Sequence, residues 1–393
     1  MDKKKTLLSS AIVLYFIISL EILIMISPFA GFFYSVFNPF LLGIAKYPAT
    51  RWLSAFFLPH MVVPPDAFLK FLRVMGSVLF AGGMALFFVC AAQIYLSKFL
   101  KRGAVIGGIY SFIRHPQYLG LAVAGAGLSI LWPRFLVVVL WLAMVLIYYF
   151  LSRDEERRML RAHAADYTLY MERTGMFLPR QVEKVIMPEG AAGRTALFVV
   201  LSVLALGSAF SLRSYTISHL PVWSSDNVVA MSILDDDKLK MEHRMPDILV
   251  MDQVRTRLSD SDNYLVYVLP PQYIMQGLIA DTGGDWRLYK QHHTVSMITD
   301  WIVHPFSHLS EAHHVSHTGM QHEAHSVSDG ITRRLIFLEI ENAESGTLSS
   351  FFSINARRIP QFMIDIDLHD LRLFDVKELP VETGWGTVPT PVF

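Results

Sequence analysis

The 393-residue chain carries 34 basic and 34 acidic residues, and hydrophobic residues make up 53% of it at a mean hydropathy of +0.39. Zero net charge leaves no bulk positive field of the kind that draws a protein to nucleic acid, and the hydropathy is high for a soluble protein. The single cysteine, Cys90, lies inside an apolar run, which excludes an intrachain disulfide framework and a cysteine metal site.

Apolar residues arrive in long runs up to about Ser211, after which charge and histidine dominate. Lys3-Lys4-Lys5 and the apolar stretch from Leu7 to Ser27 have the outline of a signal peptide. A stretch of about 20 residues has the length of a spanning helix, and no small-residue cleavage site follows cleanly, so an uncleaved first helix at 7–27 is expected. Glu21 falls inside it, where an ionisable group is expensive and often functional. It is a candidate to hold an acceptor headgroup or to pair with His60, or it reaches the interface. Residues 30–63 are apolar but interrupted by Pro39, Pro48 and Pro59, with Pro64-Pro65 following. That suits two short segments or a re-entrant hairpin better than one helix. Further spans are expected at 69–97, 118–132, 135–151 and 195–212, giving five in all, or seven if 30–63 crosses twice.

Arg114-His115-Pro116-Gln117-Tyr118-Leu119-Gly120 opens the 118–132 helix. Pro116 suits a first helical turn, where its missing N–H costs nothing. The free N–H groups of that turn, beside Arg114, make an anion site suited to a carboxylate. His115 and Tyr118 add donors, Tyr118 adds a face for stacking, and Gly120, Gly125 and Gly127 let a backbone or a ligand approach closely. Trp132-Pro133 forms the tip of a tight hairpin, and the 135–151 helix then continues out of the membrane as Ser152-Arg-Asp-Glu-Glu-Arg-Arg-Met-Leu160. Helical spacing puts Tyr148, Ser152, Glu155 and Met159 in one stripe with Glu156 beside it. Carboxylates there suit the hydroxyls or amino group of a nucleoside, or a sulfonium centre. The plainer reading is that Arg114 and Arg153–Arg161 serve membrane topology and that the glutamates form a solvated, salt-bridged helix end.

The order Arg-His-Pro-x-Tyr-x-Gly, apolar hairpin, Glu155-Glu156, Tyr167-x-x-Tyr170 and Phe177-Leu178-Pro179 resembles the isoprenylcysteine carboxyl methyltransferase and phospholipid methyltransferase superfamily over roughly residues 70–180. The resemblance implies an S-adenosylmethionine cofactor at the ends of the last helices and methyl transfer to a lipophilic acceptor: a lipid amine, a carboxylate or an isoprenoid-like molecule. Carried over by position, Arg114, His115, Tyr118, Gly120, Gly125, Gly127, Glu155 and Glu156 contact the cofactor. Glu155 and Glu156 are also the catalytic candidates, as bases for an amine acceptor. Ala164-Ala165-Asp166 stands where members often have Phe-Gly, and the C-terminal part of the chain has no counterpart in the family pattern.

Lysine and arginine in the short loops set the topology. Lys3–Lys5, Lys98, Lys101, Arg102, Arg114, Arg153–Arg161 and Arg173–Lys184 place the N-terminus and the cofactor motifs in the cytoplasm, in an inner-membrane protein of a bacterium. The last span then delivers residues 214–393 to the extracytoplasmic side. That tail reads as an α+β domain of about 170 residues with a small sheet. Its strand candidates are 264–269, 334–340 and 362–368, rich in β-branched and aromatic residues, with turn signals at Pro270-Pro271 and Gly283-Gly284.

Nine of the fifteen histidines fall between His292 and His325. His304/His308 and His313/His317 have i, i+4 spacing and, with His314, are candidate ligands for a divalent metal. Asp300, Glu311 and Glu323 offer oxygens, whereas a polar loop of solvated histidines explains the same composition. The expected architecture is therefore a polytopic α-helical membrane domain of five to seven spans (1–213) plus a C-terminal α+β extracytoplasmic domain (214–393). Its expected function is an S-adenosylmethionine-dependent methyltransferase in the lipid bilayer. The competing reading is a membrane sensor or metal-handling protein that works through the histidine-rich segment on a degenerate methyltransferase scaffold.

Overall fold

A computed structural model supplies the three-dimensional structure and describes residues 43–58, 66–100, 105–269 and 332–379, apart from 45, 163, 233 and 235. These residues form two compact units, one of residues 55–219 and one of residues 43–54 with 220–379. The expected first span at 7–27, with Glu21, lies outside the described residues, as do His60 and the whole histidine-rich segment. Of the proline-interrupted region, 43–58 is described, and it contains the short helix α1 (Pro48–Ser54), which groups with the second unit.

In the first unit, α2 (Ala67–Phe99), α3 (Pro116–Leu131) and α4 (Phe135–Ala162) follow in order, then α5 (Ala164–Arg173), α6 (Arg180–Ile186) and α7 (Gly190–Ser218). Three stretches, Ala67–Ser97, Phe135–Ala162 and Gly190–Ser218, are long and apolar enough to cross a bilayer, with mean hydropathies of 2.1, 2.5 and 2.2. They contain the expected spans 69–97, 135–151 and 195–212. The expected span at 118–132 is shorter than the others, with 16 residues in α3. At 1.5 Å per residue that is about 24 Å, against about 30 Å of hydrocarbon. Proline sets both limits. Pro116 occupies the first helical turn, and Pro133 cannot extend the helix past Trp132.

α2 and α3 pack backbone to backbone. Gly76 and Gly83 on one helix face Gly127 and Gly120 on the other, both pairs spaced by seven residues. A Cβ on Gly83 would lie 2.5 Å from the Gly120 carbonyl oxygen, and one on Gly127 the same distance from that of Gly76. Small residues at such a seam let helices approach until dispersion contacts hold them in lipid, where burial of apolar surface gives no drive. Gly125 faces the other way, against the indole of Trp141 on α4. Trp141 Nε1 donates to the Ala122 carbonyl at 2.8 Å.

At the hairpin end, Phe56 and Arg134 form a bridge, with the buried Arg134 guanidinium 4.2 Å over the Phe56 ring. Arg213 of α7 donates to the Phe56 carbonyl. Val199, Leu201, Val203 and Leu204 of α7 are more than half exposed, as lipid-facing positions of a membrane helix are.

The second unit is one six-stranded sheet in the order β1-β2-β3-β4-β5-β6. The strands are β1 (Val222–Ser224), β2 (Val228–Ser232), β3 (Tyr264–Leu269), β4 (Thr332–Glu341), β5 (Arg357–Asp367) and β6 (Leu373–Glu378). β3 and β4 contain the expected stretches 264–269 and 334–340, and β5 holds all of 362–368 but its last residue. Among the described strands, only β2 and β3 run parallel. Helix α8 (Asp237–Val250) makes the crossover that such a pair needs. Met241, Met245 and Ile248 of α8 pack with Val266, Val268, Leu335, Phe337, Phe362 and Ile364 of the sheet in one buried cluster. The Asp237 carboxylate, fully buried, takes both a fork from Arg333 at 2.7 and 2.8 Å and the Ser232 hydroxyl at 2.8 Å. This pins the start of α8 to β4.

Candidate functional site

The chain ahead of α3 does not run free. Ile113 bridges Gly175 in parallel. The Arg114 N–H donates to the Gly175 carbonyl at 2.9 Å and the His115 N–H to that of Met176 at 3.0 Å. Residues 174–178 are thus a strap that fixes the backbone of the Arg-His pair before Pro116 starts the helix. A Cβ at Gly175 would run into the Leu178 carbonyl, so the turn of the strap admits only glycine. Glu183 of α6 holds the strap from outside. One carboxylate oxygen accepts from the N–H groups of Met176, Phe177 and Leu178 at 2.5, 3.2 and 3.4 Å.

α4 brings the acidic side. Tyr148, Ser152 and Glu156 are buried on the face toward α3. Arg114 Nε donates to Glu156 Oε1 at 2.6 Å, with both side chains 7% exposed. Its Nη1 donates to the carbonyls of Thr174 and Met171. The Tyr118 hydroxyl donates to Glu155 Oε1 at 2.6 Å. His115 sits between the carboxylates, Nδ1 3.5 Å from Glu155 and Nε2 3.6 Å from Glu156. The Tyr118 ring stacks on Tyr148 at 5.0 Å and on His115 at 5.8 Å, so the stacking expected for a ligand is made here with protein rings.

Five expected residues, Arg114, His115, Tyr118, Glu155 and Glu156, therefore meet at one end of the α3–α4 hairpin. The space beside Gly120, Gly125 and Gly127 is filled by neighbouring helices. The metal candidates His304, His308, His313, His314 and His317 lie outside the described residues. Among the described residues no group of three His, Asp, Glu or Cys side chains is placed to hold a metal ion.

The two glutamates differ. Glu156 is enclosed, whereas the Glu155 side chain is 36% exposed. Burial pushes the His115 pKa down, but the Glu155 and Glu156 carboxylates beside its two ring nitrogens outweigh it, and the net shift is upward. Partial burial, with the charge of Glu156, pushes the Tyr167 phenol up to about 12 and keeps it a neutral donor. Ser152 Oγ and His115 Nε2 are buried and make no hydrogen bond among the described residues. A half-open carboxylate beside two unsatisfied polar atoms fits a ligand that carries hydroxyls and positive charge.

The comparisons bear on this same hairpin. Residues 91–165 match the phospholipid methyltransferase family. The match takes in both motifs and the α3–α4 hairpin, under a fifth of the chain. Methyltransferases of this family use S-adenosylmethionine. Comparison with curated proteins and with solved structures gave no match. Gly175 and Glu183, which hold the strap, escaped the reading of the sequence and lie beyond the matched segment. Glu183 acts on amides five to seven residues upstream and Gly175 turns against the carbonyl of Leu178, but a lone glutamate and a lone glycine form no motif that marks them. Tyr170, whose hydroxyl donates to the Tyr110 carbonyl at 2.6 Å, carried a signal in the Tyr-x-x-Tyr spacing.

Proposed function

We propose that the protein is an integral membrane methyltransferase that uses S-adenosylmethionine and acts on a lipophilic acceptor, with the site at the cytoplasmic face and residues 214–393 outside. The observation that carries this reading is the closure of Arg114, His115 and Tyr118 onto Glu155 and Glu156 inside the segment that matches the family. The bound cofactor supplies a methyl group already activated by its sulfonium charge, which leaves the protein to orient the partners and exclude water.

Glu155, Ser152 and His115 are the side chains with free polar capacity toward the cofactor. Arg114 neutralises Glu156 and fixes it, and that buried pair holds His115 in place. Tyr118 orients the Glu155 carboxylate through its hydroxyl. An amine acceptor must lose a proton, and Glu155 is the more open carboxylate to receive it; a carboxylate acceptor needs no base. Photo-crosslinking of labelled S-adenosylmethionine to the full-length protein tests the assignment. Adducts confined to residues 110–160 and competed by unlabelled cofactor are expected. Adducts elsewhere, or none that compete, overturn the reading.

A further inference from the structure

α6 joins the strap to a membrane helix, and it has two unlike sides. Val182, Val185 and Ile186 recur at i, i+3 and i+4 and so share one face. All three are open, Val185 at 86% and Ile186 at 52% exposed, and Lys184, also exposed, flanks them. On the other side Glu183 grips the strap amides, and Arg180 donates to the Met171 carbonyl at 2.8 Å. Only Met187-Pro188-Glu189 separates α6 from α7, a helix with the length and hydropathy to cross the bilayer. Three residues reach at most about 10 Å, which is comparable with the depth of about 5–10 Å at which interfacial helices bury an apolar face. The open face of α6 is thus within linker reach of the level at which α7 meets the bilayer surface.

We propose that α6 lies on the bilayer surface with Val182, Val185 and Ile186 inserted at the boundary of headgroups and acyl chains, and that this attachment orders the strap through Glu183. The chain of contacts is short: lipid, the apolar face of α6, the Glu183 carboxylate, the 176–178 amides, then the backbone bonds that hold Arg114 and His115. Glu183 is a positioning residue, and its link to cofactor affinity rests on the methyl-donor reading given above.

The test uses the full-length protein in phosphatidylcholine vesicles. A spin label at Val185→Cys (Cys90 is buried) should collide more often with dissolved oxygen, which concentrates in lipid, than with a water-soluble nickel chelate. The reverse order overturns the attachment. Hydrogen exchange at the amides of 176–178 reads the second step. It should quicken at least tenfold in Glu183→Gln and severalfold in a Val185→Ser/Ile186→Ser double variant, and S-adenosylmethionine affinity should fall in parallel. Unchanged exchange in Glu183→Gln contradicts the link. Unchanged exchange in the double variant contradicts transmission from the membrane. A wild-type protein that binds no S-adenosylmethionine contradicts the proposed function instead, and leaves the label and exchange results to decide this inference.

Discussion

Glu155 and Glu156 are adjacent and chemically identical, yet the fold gives them different work. Arg114 and Glu156 form an enclosed pair, so removing one charge leaves the other buried without a counterion, at a cost on the order of 3 kcal/mol. Glu155 is over a third exposed, and solvent screening limits the stability held in its contacts to about 1 kcal/mol or less. Glu156→Gln is therefore expected to lower the thermal midpoint of the detergent-solubilised protein by several degrees. Glu155→Gln should leave the midpoint nearly unchanged and weaken S-adenosylmethionine binding at least tenfold. Equal effects of the two variants on stability would contradict the division. The sequence displayed both residues as candidates through order and spacing, but it could not sort them. What sorts them is the approach of Arg114 from 42 residues away, and nothing in the local chain encodes that.

Among the elements, those with a strong period were the legible ones. The long apolar helices α2, α4 and α7 and the strands β3, β4 and β5 announce themselves by hydrophobic runs or by β-branched alternation. The glycines were legible as places of close approach, but not as a choice between ligand and helix. The seven-residue spacing shared by Gly76/Gly83 and Gly120/Gly127 acquires meaning only once α2 is seen against α3. An adjacent pair of glycines separates the two cases. Gly83→Leu drives a side chain into the α3 backbone, and overpacking of this kind costs about 1–3 kcal/mol. Gly82 has nothing within 4 Å of an added Cβ. Thermal unfolding in detergent should show a clear loss for Gly83→Leu and almost none for Gly82→Leu. Similar losses would contradict the seam, because helix propensity by itself favours leucine over glycine at both positions.

For the whole molecule, composition changes near Ser211, whereas the structure forms two compact units of residues 55–219 and of residues 43–54 with 220–379. Two features of the sheet unit were beyond the sequence. The parallel β2–β3 pair depends on where α8 returns, and the buried Asp237–Arg333 fork joins residues 96 apart. In the membrane unit, the Arg-His-Pro-x-Tyr-x-Gly and Glu-Glu motifs made the candidate site legible because their order survives in one dimension. The strap that fixes them did not, since its contacts are made by backbone amides that every residue possesses.

On the proposed function, the end of the α3–α4 hairpin that holds Arg114 and Glu155 delivers a methyl group to a lipophilic acceptor. Full-length protein in vesicles of native membrane lipid, supplied with methyl-labelled S-adenosylmethionine, tests it most directly. Label in the organic extract should grow with time and fall at least a hundredfold in Glu155→Ala. Label that stays in the aqueous phase with wild-type protein, or reaches lipid equally with the variant, would contradict it.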